Sequence, residues 1–213
     1  MTEPHSAFRA VDATASRRLV LGSASSARLA TLRGAGIDPE VVVSGVDESV
    51  VTTRDPGHLA VELATLKARA VAKEVGDAVV VGCDSVLELG GEVYGKPHDA
   101  GEAGHRWRLM RGRSGVLHTG HCLVDTRSGR EIARSAGTVV HFAQLSDDEI
   151  DAYVATGEPL QVAGAFTLDG LGGAFVTGIE GDPHNVVGIS LPLLRTMLAE
   201  LGLSWVDLWS ARS

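Results

Sequence analysis

The sequence predicts a single mixed α/β domain, and three patterns carry that expectation. Short apolar runs of strand length alternate with amphipathic helical stretches in the first half of the chain. Hairpin signals then interrupt the alternation, which favours a mixed sheet over a purely parallel one. The 213 residues contain no internal repeat and no low-complexity linker, so any second lobe must be built into the same domain.

Residues 1–16 are small and polar without periodicity and are expected to form a flexible arm ahead of one domain, 17–213. Order is expected from Leu19-Val20-Leu21, a buried-strand pattern that ends in Gly22-Ser23-Ala24-Ser25-Ser26. A helix should follow with Ser26 as its N-cap, Leu29 and Leu32 on one side, and Gly34 and Gly36 closing it. Val41-Val42-Val43 reads as a second strand leading into Asp47-Glu48. The strongest helical signal spans His58 to Val75. There Leu59, Leu63, Leu66 and Ala70 recur at steps of four, three and four, and Lys67 flanks the stripe, where its amine can reach a cleft. Ala78-Val79-Val80-Val81 is a strand with Asp84 just past its end.

Further along, Val86–Leu89, the turn Gly90-Gly91 and Glu92–Tyr94 form a hairpin pattern. Asp99 with Glu102 resembles a capping box that opens a helix using Ala103, Trp107 and Met110. A longer hairpin is expected over 116–126 and 131–142 around Ser128-Gly129. Ser146 with Glu149 opens a helix whose apolar side holds Ile150, Tyr153 and Val154. The last helix starts near Ser190, faces the core with Leu194, Met197, Leu198 and Leu201, and stops at Gly202.

A formal net charge of −8 argues against gripping a nucleic-acid polymer through a broad basic face, though not against one small phosphorylated ligand. No apolar stretch reaches the roughly 20 residues of a membrane span, and the N-terminus lacks the apolar core of a signal peptide. A cytoplasmic protein is the expectation. Cys83 and Cys122 belong to no metal-binding spacing and read as buried thiols rather than a disulfide.

Several chemical patterns fail on inspection. Gly90, four residues, then Gly95-Lys96 copies a phosphate-binding loop, but Pro97 stands where Ser or Thr should ligate magnesium. What survives is a lysine pinned between glycine and proline. His118 and His121 lie three apart on a strand, so they face opposite ways and cannot share a metal. Gly170, Gly172 and Gly173 lack the strand-to-helix setting of a dinucleotide site and read as a tight loop.

Other positions stay open to two readings. Asp84 after an apolar strand suits a ligand site at a strand's carboxyl end, or equally a turn cap. Asp47-Glu48 is a site carboxylate pair or a solvated loop. Ser23-Ala24-Ser25-Ser26 before a helix suits an anion, or is an ordinary cap. Together they make a kit for phosphoryl chemistry: Ser23, Ser25, Arg28, Lys67 and Lys96 to hold phosphates, Glu48 and Asp84 to bind a metal and activate water.

At this point the chain resembles the Maf family, the septum-formation-inhibitor-like nucleotide pyrophosphatases. The resemblance spans about residues 19–201 and rests on LVLGSASSARLATL, SGVDES, LATLKARAVA, VVVGCDSV, GEVYGKP, YVATGEPLQVAGAF and IEGDPHNVVGISLP, in that order. It implies an elongated, two-lobed α/β fold shared with inosine triphosphatases. The implied reaction splits a nucleoside triphosphate between the α and β phosphates with a divalent cation, magnesium or manganese. It further implies Asp84 as general base, Glu48 as a carboxylate that helps place the cation, and Ser23, Ser25, Arg28, Lys67 and Lys96 around the phosphates. A homodimer is implied too. Three departures bear on base choice. Members acting on thymidine and uridine triphosphates carry two consecutive arginines, where this chain has Ala27 before Arg28. They carry threonine where Ser85 stands, and glutamine where Asp169 stands. The family's SGRTH appears as Arg111-Gly112-Arg113-Ser114-Gly115. The competing readings are a non-catalytic, nucleotide-binding regulator of cell division, as the family's older name suggests, and a phosphatase that removes the terminal phosphate.

Overall fold

In the computed structural model, residues 17–210 are described; the expected N-terminal arm lies outside them. The first strand, β1 (Arg18–Leu21), is followed by helix α1 (Ser26–Gly34) and the two-residue β2 (Glu40–Val41). Next come helix α2 (Pro56–Ala72), strand β3 (Ala78–Leu89), strand β4 (Glu92–Tyr94) and helix α3 (Ala100–Met110). The long hairpin β5 (Ser114–Asp125) and β6 (Glu131–Phe142) leads to helix α4 (Asp147–Ala155). Strand β7 (Val176–Glu180) and helices α5 (Pro183–Val187) and α6 (Leu191–Glu200) follow, with a short helical turn, Trp205–Leu208, after them. The sheet is seven-stranded and mixed, in the order β2-β1-β3-β5-β6-β7, with β4 also on β3.

Local chemistry explains most boundaries. Gly90 and Gly91 both take positive φ, 63° and 87°, the two-residue turn whose twist matches its flanking strands. Ser146 and Glu149 form a complete reciprocal capping box at α4. Asp99 caps α3 by accepting from the Glu102 N–H, but the Glu102 carboxylate accepts from His98 N–H instead, so that box is only half made. Leu194, Met197 and Leu198 of α6 are fully buried as their spacing predicts, while Leu201 packs partly buried at the edge of the same core. Cys83 and Cys122 are free, buried thiols.

Four expectations need correction. The cap of α1 is Ser25, not Ser26; its Oγ accepts from Arg28 N–H at 3.3 Å. The second strand stops at Val41 because its partner β1 ends at Leu21, leaving Val43 mostly exposed. The run Ala78–Val81 is only the first third of a continuous strand, and Asp84 lies in its middle. An antiparallel partner, β5, pairs β3 from Val79 to Glu88 and carries the strand across the polar residues. Finally, the buried face of α2 is Ala60, Leu63, Ala64, Ala68 and Val71; of the expected stripe Leu63 alone is buried, and Leu59, Leu66 and Ala70 are half-buried.

The reason for that rotation is the sheet beneath. Gly82 of β3 and Gly120 of β5 present bare backbone to α2. A methyl at Gly82 would stand 2.2 Å from the Ala64 carbonyl oxygen, and one at Gly120 2.0 Å from that of Ala60. Alanines on the helix therefore meet glycines on the sheet, with no layer of larger side chains between them. The closeness fixes the helix's height and rotation, and Lys67 goes with it.

On the opposite face, two apolar cores share the long strands. One gathers Leu21, Leu32, Val81, Cys83 and Leu194 under α1 and α6; the other gathers Leu87, Trp107, Phe142, Tyr153 and Phe166 under α3 and α4. Between them lies a buried polar layer containing Ser85, Thr119, Thr138 and Asn185. The fold is mixed α/β on one seven-stranded sheet, as expected.

The seam gives a direct stability prediction. Gly120→Ala is expected to cost about 3 kcal/mol or more in urea denaturation, because the added methyl meets helix backbone rather than a movable side chain. A wild-type midpoint would contradict the packing described.

Candidate active site

One edge of β3 is paired by β5 along its length. The other edge is paired by β1 only at Ala78–Val81 and by β4 only at Leu87–Leu89. Residues 82–86 therefore face a gap between β1 and β4, with no strand partner on that side among the described residues. The chain leaving β1 turns into the Gly22–Ser25 loop and α1 on one bank; the chain leaving β4 continues into Gly95-Lys96 on the other. Asp84 and Ser85 sit in the gap, pointing to opposite faces of the sheet.

On the α2 face, Lys67 Nζ forms an ion pair with Asp84 and a second with Glu48 Oε1 at 2.8 Å. The lysine and Asp84 are largely buried, whereas Glu48, in the turn Glu48–Val50, is half exposed. Residues far apart in sequence converge here because the seam brings α2 down onto β3.

On the other face, Arg28 reaches back from the first turn of α1. Its Nε donates to the Gly188 carbonyl at 2.7 Å, Nη1 to Ser23 Oγ at 2.9 Å, and Nη2 to Ser85 Oγ at 3.1 Å. Ser85 Oγ and Thr119 Oγ1 are 2.9 Å apart, and Thr119 Oγ1 donates to the Asn185 carbonyl at 3.0 Å. A carbonyl only accepts, so the Thr119 hydrogen is committed there. Ser85 must then give its own hydrogen to Thr119 and accept from Arg28. The order runs one way, from Arg28 through Ser85 and Thr119 to Asn185. Arg28 has no carboxylate within ion-pair reach among the described residues, so its charge is uncompensated at the gap.

The predicted residues thus fall into three groups. Asp84, Lys67 and Glu48 are in contact, and Ser23, Ser25, Arg28 and Ser85 form a second connected set. Among the described residues, the side chains of Lys96, Ala27 and Asp169 make no hydrogen bond or ion pair to either set. Lys96 is exposed on the far bank, Ala27 half-buried on α1, and Asp169 exposed just before the turn Leu171–Phe175. The glycines around Asp169 do form a tight loop, held by Glu158 accepting from Leu171 and Gly172 N–H at 3.0 Å each. Arg111, from the departed SGRTH segment, pairs with Asp147 at the end of α3, and Gly90 serves the hairpin turn rather than a phosphate loop. Sequence reasoning missed Thr119, Asn185 and Gly188. Asn185 lies on α5, in a segment that carried the resemblance, and its hydrogen bonds to Leu117, Ala136 and Thr138 place it in the gap's polar layer. Another concavity, of about 450 Å³, lies elsewhere, between the end of α1 and α6 beside Leu191, Arg195 and Trp205. It contains none of the residues above.

Residues 18–201 match the family model described as Maf-like protein. The chain belongs to the Maf family. It is 62% identical over 198 residues to a nucleoside triphosphate pyrophosphatase of Salinispora tropica, covering 91% of this chain and 88% of the relative. It is 59% identical to one of Streptomyces coelicolor, covering 91% and 95%, and 50% identical to one of Microcystis aeruginosa, covering 90% and 98%. This Maf chain therefore matches relatives of that name over nearly their full length. Among its described residues, no helix is long and apolar enough to cross a membrane.

His121 underlies the site on the Arg28 side. It is fully buried; its Nδ1–H donates to the Thr119 carbonyl at 3.1 Å, and its Nε2 accepts from Ser190 N–H at 2.8 Å. Burial, reinforced by the Arg28 charge, pushes its pKa from an ordinary 6.5 down to about 4. Between those values the unfolded chain binds a proton that the folded chain refuses. Stability from this group is therefore complete above pH 6.5 and falls as the pH drops towards 4. His121→Gln is expected to remove on the order of 3 kcal/mol of acid sensitivity, read as a flatter plot of unfolding free energy between pH 7 and 4. An unchanged slope would show that His121 does not titrate in this way.

Proposed function

We propose that this chain hydrolyses nucleoside triphosphates to the monophosphate and pyrophosphate, at the gap between β1 and β4. The observation that carries the reading is the meeting of Asp84, Lys67 and Glu48 beside the uncompensated Arg28, where β3 loses its edge partner. Family membership and the names of the relatives support the same reaction.

A triphosphate is a dense anion, and the gap offers it cations from both banks, Arg28 on one and Lys96 on the other, with Lys67 beside Asp84 on the α2 face. Ser23 and Ser85 fix the Arg28 fork, so little freedom is lost when it meets phosphate. Lys67 holds Asp84 through Oδ1, leaving Oδ2 to take a proton. In the reaction, Asp84 accepts the proton of the attacking water as its oxygen bonds to phosphorus. The phosphorus–oxygen bond between the α and β phosphates breaks, and its electron pair leaves with the departing group.

The donor set also fits a divalent cation. Magnesium is commonly held by one or two carboxylates, with waters and substrate phosphates completing its shell. Glu48 and Asp84 provide such a pair, and no group of three or more His, Cys, Asp or Glu residues converges among the described residues. A cation held there would neutralise phosphate charge and make water more acidic. Base choice is assigned to Ser85 and Asp169. Ser85 has spent its hydrogen on Thr119, so it acts on substrate through Arg28, while the exposed Asp169 can accept from a base.

Incubation with a panel of triphosphates, with magnesium or manganese, should give monophosphate and pyrophosphate. Asp84→Asn should lower kcat by about 100-fold or more while leaving the fold intact. Diphosphate with orthophosphate, or full activity in the variant, would overturn the assignment. Asp169→Gln should reorder the panel by kcat/KM; an unchanged order would remove Asp169 from base recognition.

A further inference from the structure

Arg106 is an arginine that the reaction does not use, yet its side chain is only 3% exposed. Its guanidinium lies 4.9 Å from the centre of the Tyr94 ring. Nη1 donates to the Gly95 carbonyl and Nη2 to Glu102 Oε1, each at 2.5 Å, while the buried Nε has no partner. The other Glu102 oxygen accepts from His98 N–H at 2.9 Å. The pair therefore grips both ends of one short segment: Arg106 takes the carbonyl of Gly95, and Glu102 takes the amide of His98. Between them stand Lys96 and the buried Pro97. A third bond, from Gly164 N–H to the same Gly95 carbonyl at 3.0 Å, ties the segment to the loop on its other side.

We propose that Arg106, with Glu102, is a positioning residue that holds the Gly95–His98 segment so that Lys96 meets the substrate's phosphates. The proposal rests on reading the gap as a phosphate site. Burying an arginine is costly, and a purely structural α3–β4 contact could be made by an apolar side chain of similar size. What the apolar side chain could not do is fix a carbonyl one residue ahead of a cation that has no ion-pair partner of its own among the described residues. The fork also reaches Gly95 and Glu102 at once, which a lysine cannot reproduce.

The test is a double-mutant cycle on binding of inorganic tripolyphosphate with magnesium, followed by calorimetry, which requires neither turnover nor a known base. Lys96→Ala and Arg106→Met are each expected to raise Kd about tenfold, and Arg106→Met should add less than about twofold in the Lys96→Ala background. Arg106→Lys should fall between wild type and Arg106→Met. If Arg106→Met does not fold, Glu102→Ala, which removes a partly exposed side chain, should show the same non-additivity. Additive effects, or no change on altering Arg106 and Glu102 alone, would overturn the proposal, as would an unchanged Kd in Lys96→Ala. Because the cycle reads binding, absence of triphosphate turnover would count against the proposed reaction while leaving the positioning result standing.

Discussion

The closeness of one helix to the sheet governs this molecule. Most helices rest on a sheet through a layer of side chains, but α2 rests its Ala60, Ala64 and Ala68 on the bare backbone of Gly82 and Gly120. The contact is too tight for a methyl group. It sets helix height and rotation together, and so decides where a lysine one position before Ala68 can reach. The ion pair between Lys67 and Asp84, and the second to Glu48, follow from that geometry rather than from any local sequence feature. Packing here is the cause and site electrostatics the consequence.

The second constraint is the incomplete pairing of β3. Two apolar cores under its ends leave a polar layer between them, and at that level the strand's outer edge has no strand partner among the described residues. A buried polar layer is stable only if its groups are satisfied. Thr119, Ser85 and the Asn185 amide are largely satisfied; Asn185 Nδ2 alone serves Leu117 O, Ala136 O and Thr138 Oγ1. Within that layer, among the described residues, the Asn185 Oδ1 has no partner. The hydroxyl chain that results points at Arg28 and holds its fork at the rim of the gap. The same layer that separates the two cores thereby orients a cation between them.

Much of the fold could be read from the sequence where the signal is local. The Gly90-Gly91 turn, the Ser146–Glu149 box and the apolar spacing of α6 each depend on neighbours within a few residues. The misread parts depend on partners distant in the chain. The leucines of α2 looked like its core face because nothing in the helix tells that glycines lie opposite it. Strand β3 looked finished at Val81 because Asp84 and Ser85 break the apolar run, and only pairing to β5 carries it through. The site divides in the same way. Asp84, Lys67, Glu48, Ser23 and Arg28 were legible as residue types suited to phosphate, and they meet as two sets on the two faces of β3. Thr119 and Arg106 were not, since each matters through bonds to partners distant in the chain: Thr119 to Ser85 and the Asn185 carbonyl, and Arg106 to the Gly95 carbonyl.

Where a triphosphate binds is the claim on which the rest stands. Amide chemical shifts of the labelled protein, followed during titration with a triphosphate carrying a non-hydrolysable α,β-methylene bridge and magnesium, address it directly. The shifts are expected to concentrate at Gly22–Ser26, Asp84-Ser85 and Gly95-Lys96, the two banks and floor of the gap. A response centred instead on Leu191, Arg195 and Trp205 would place the ligand in the concavity beside α6 and contradict the site described.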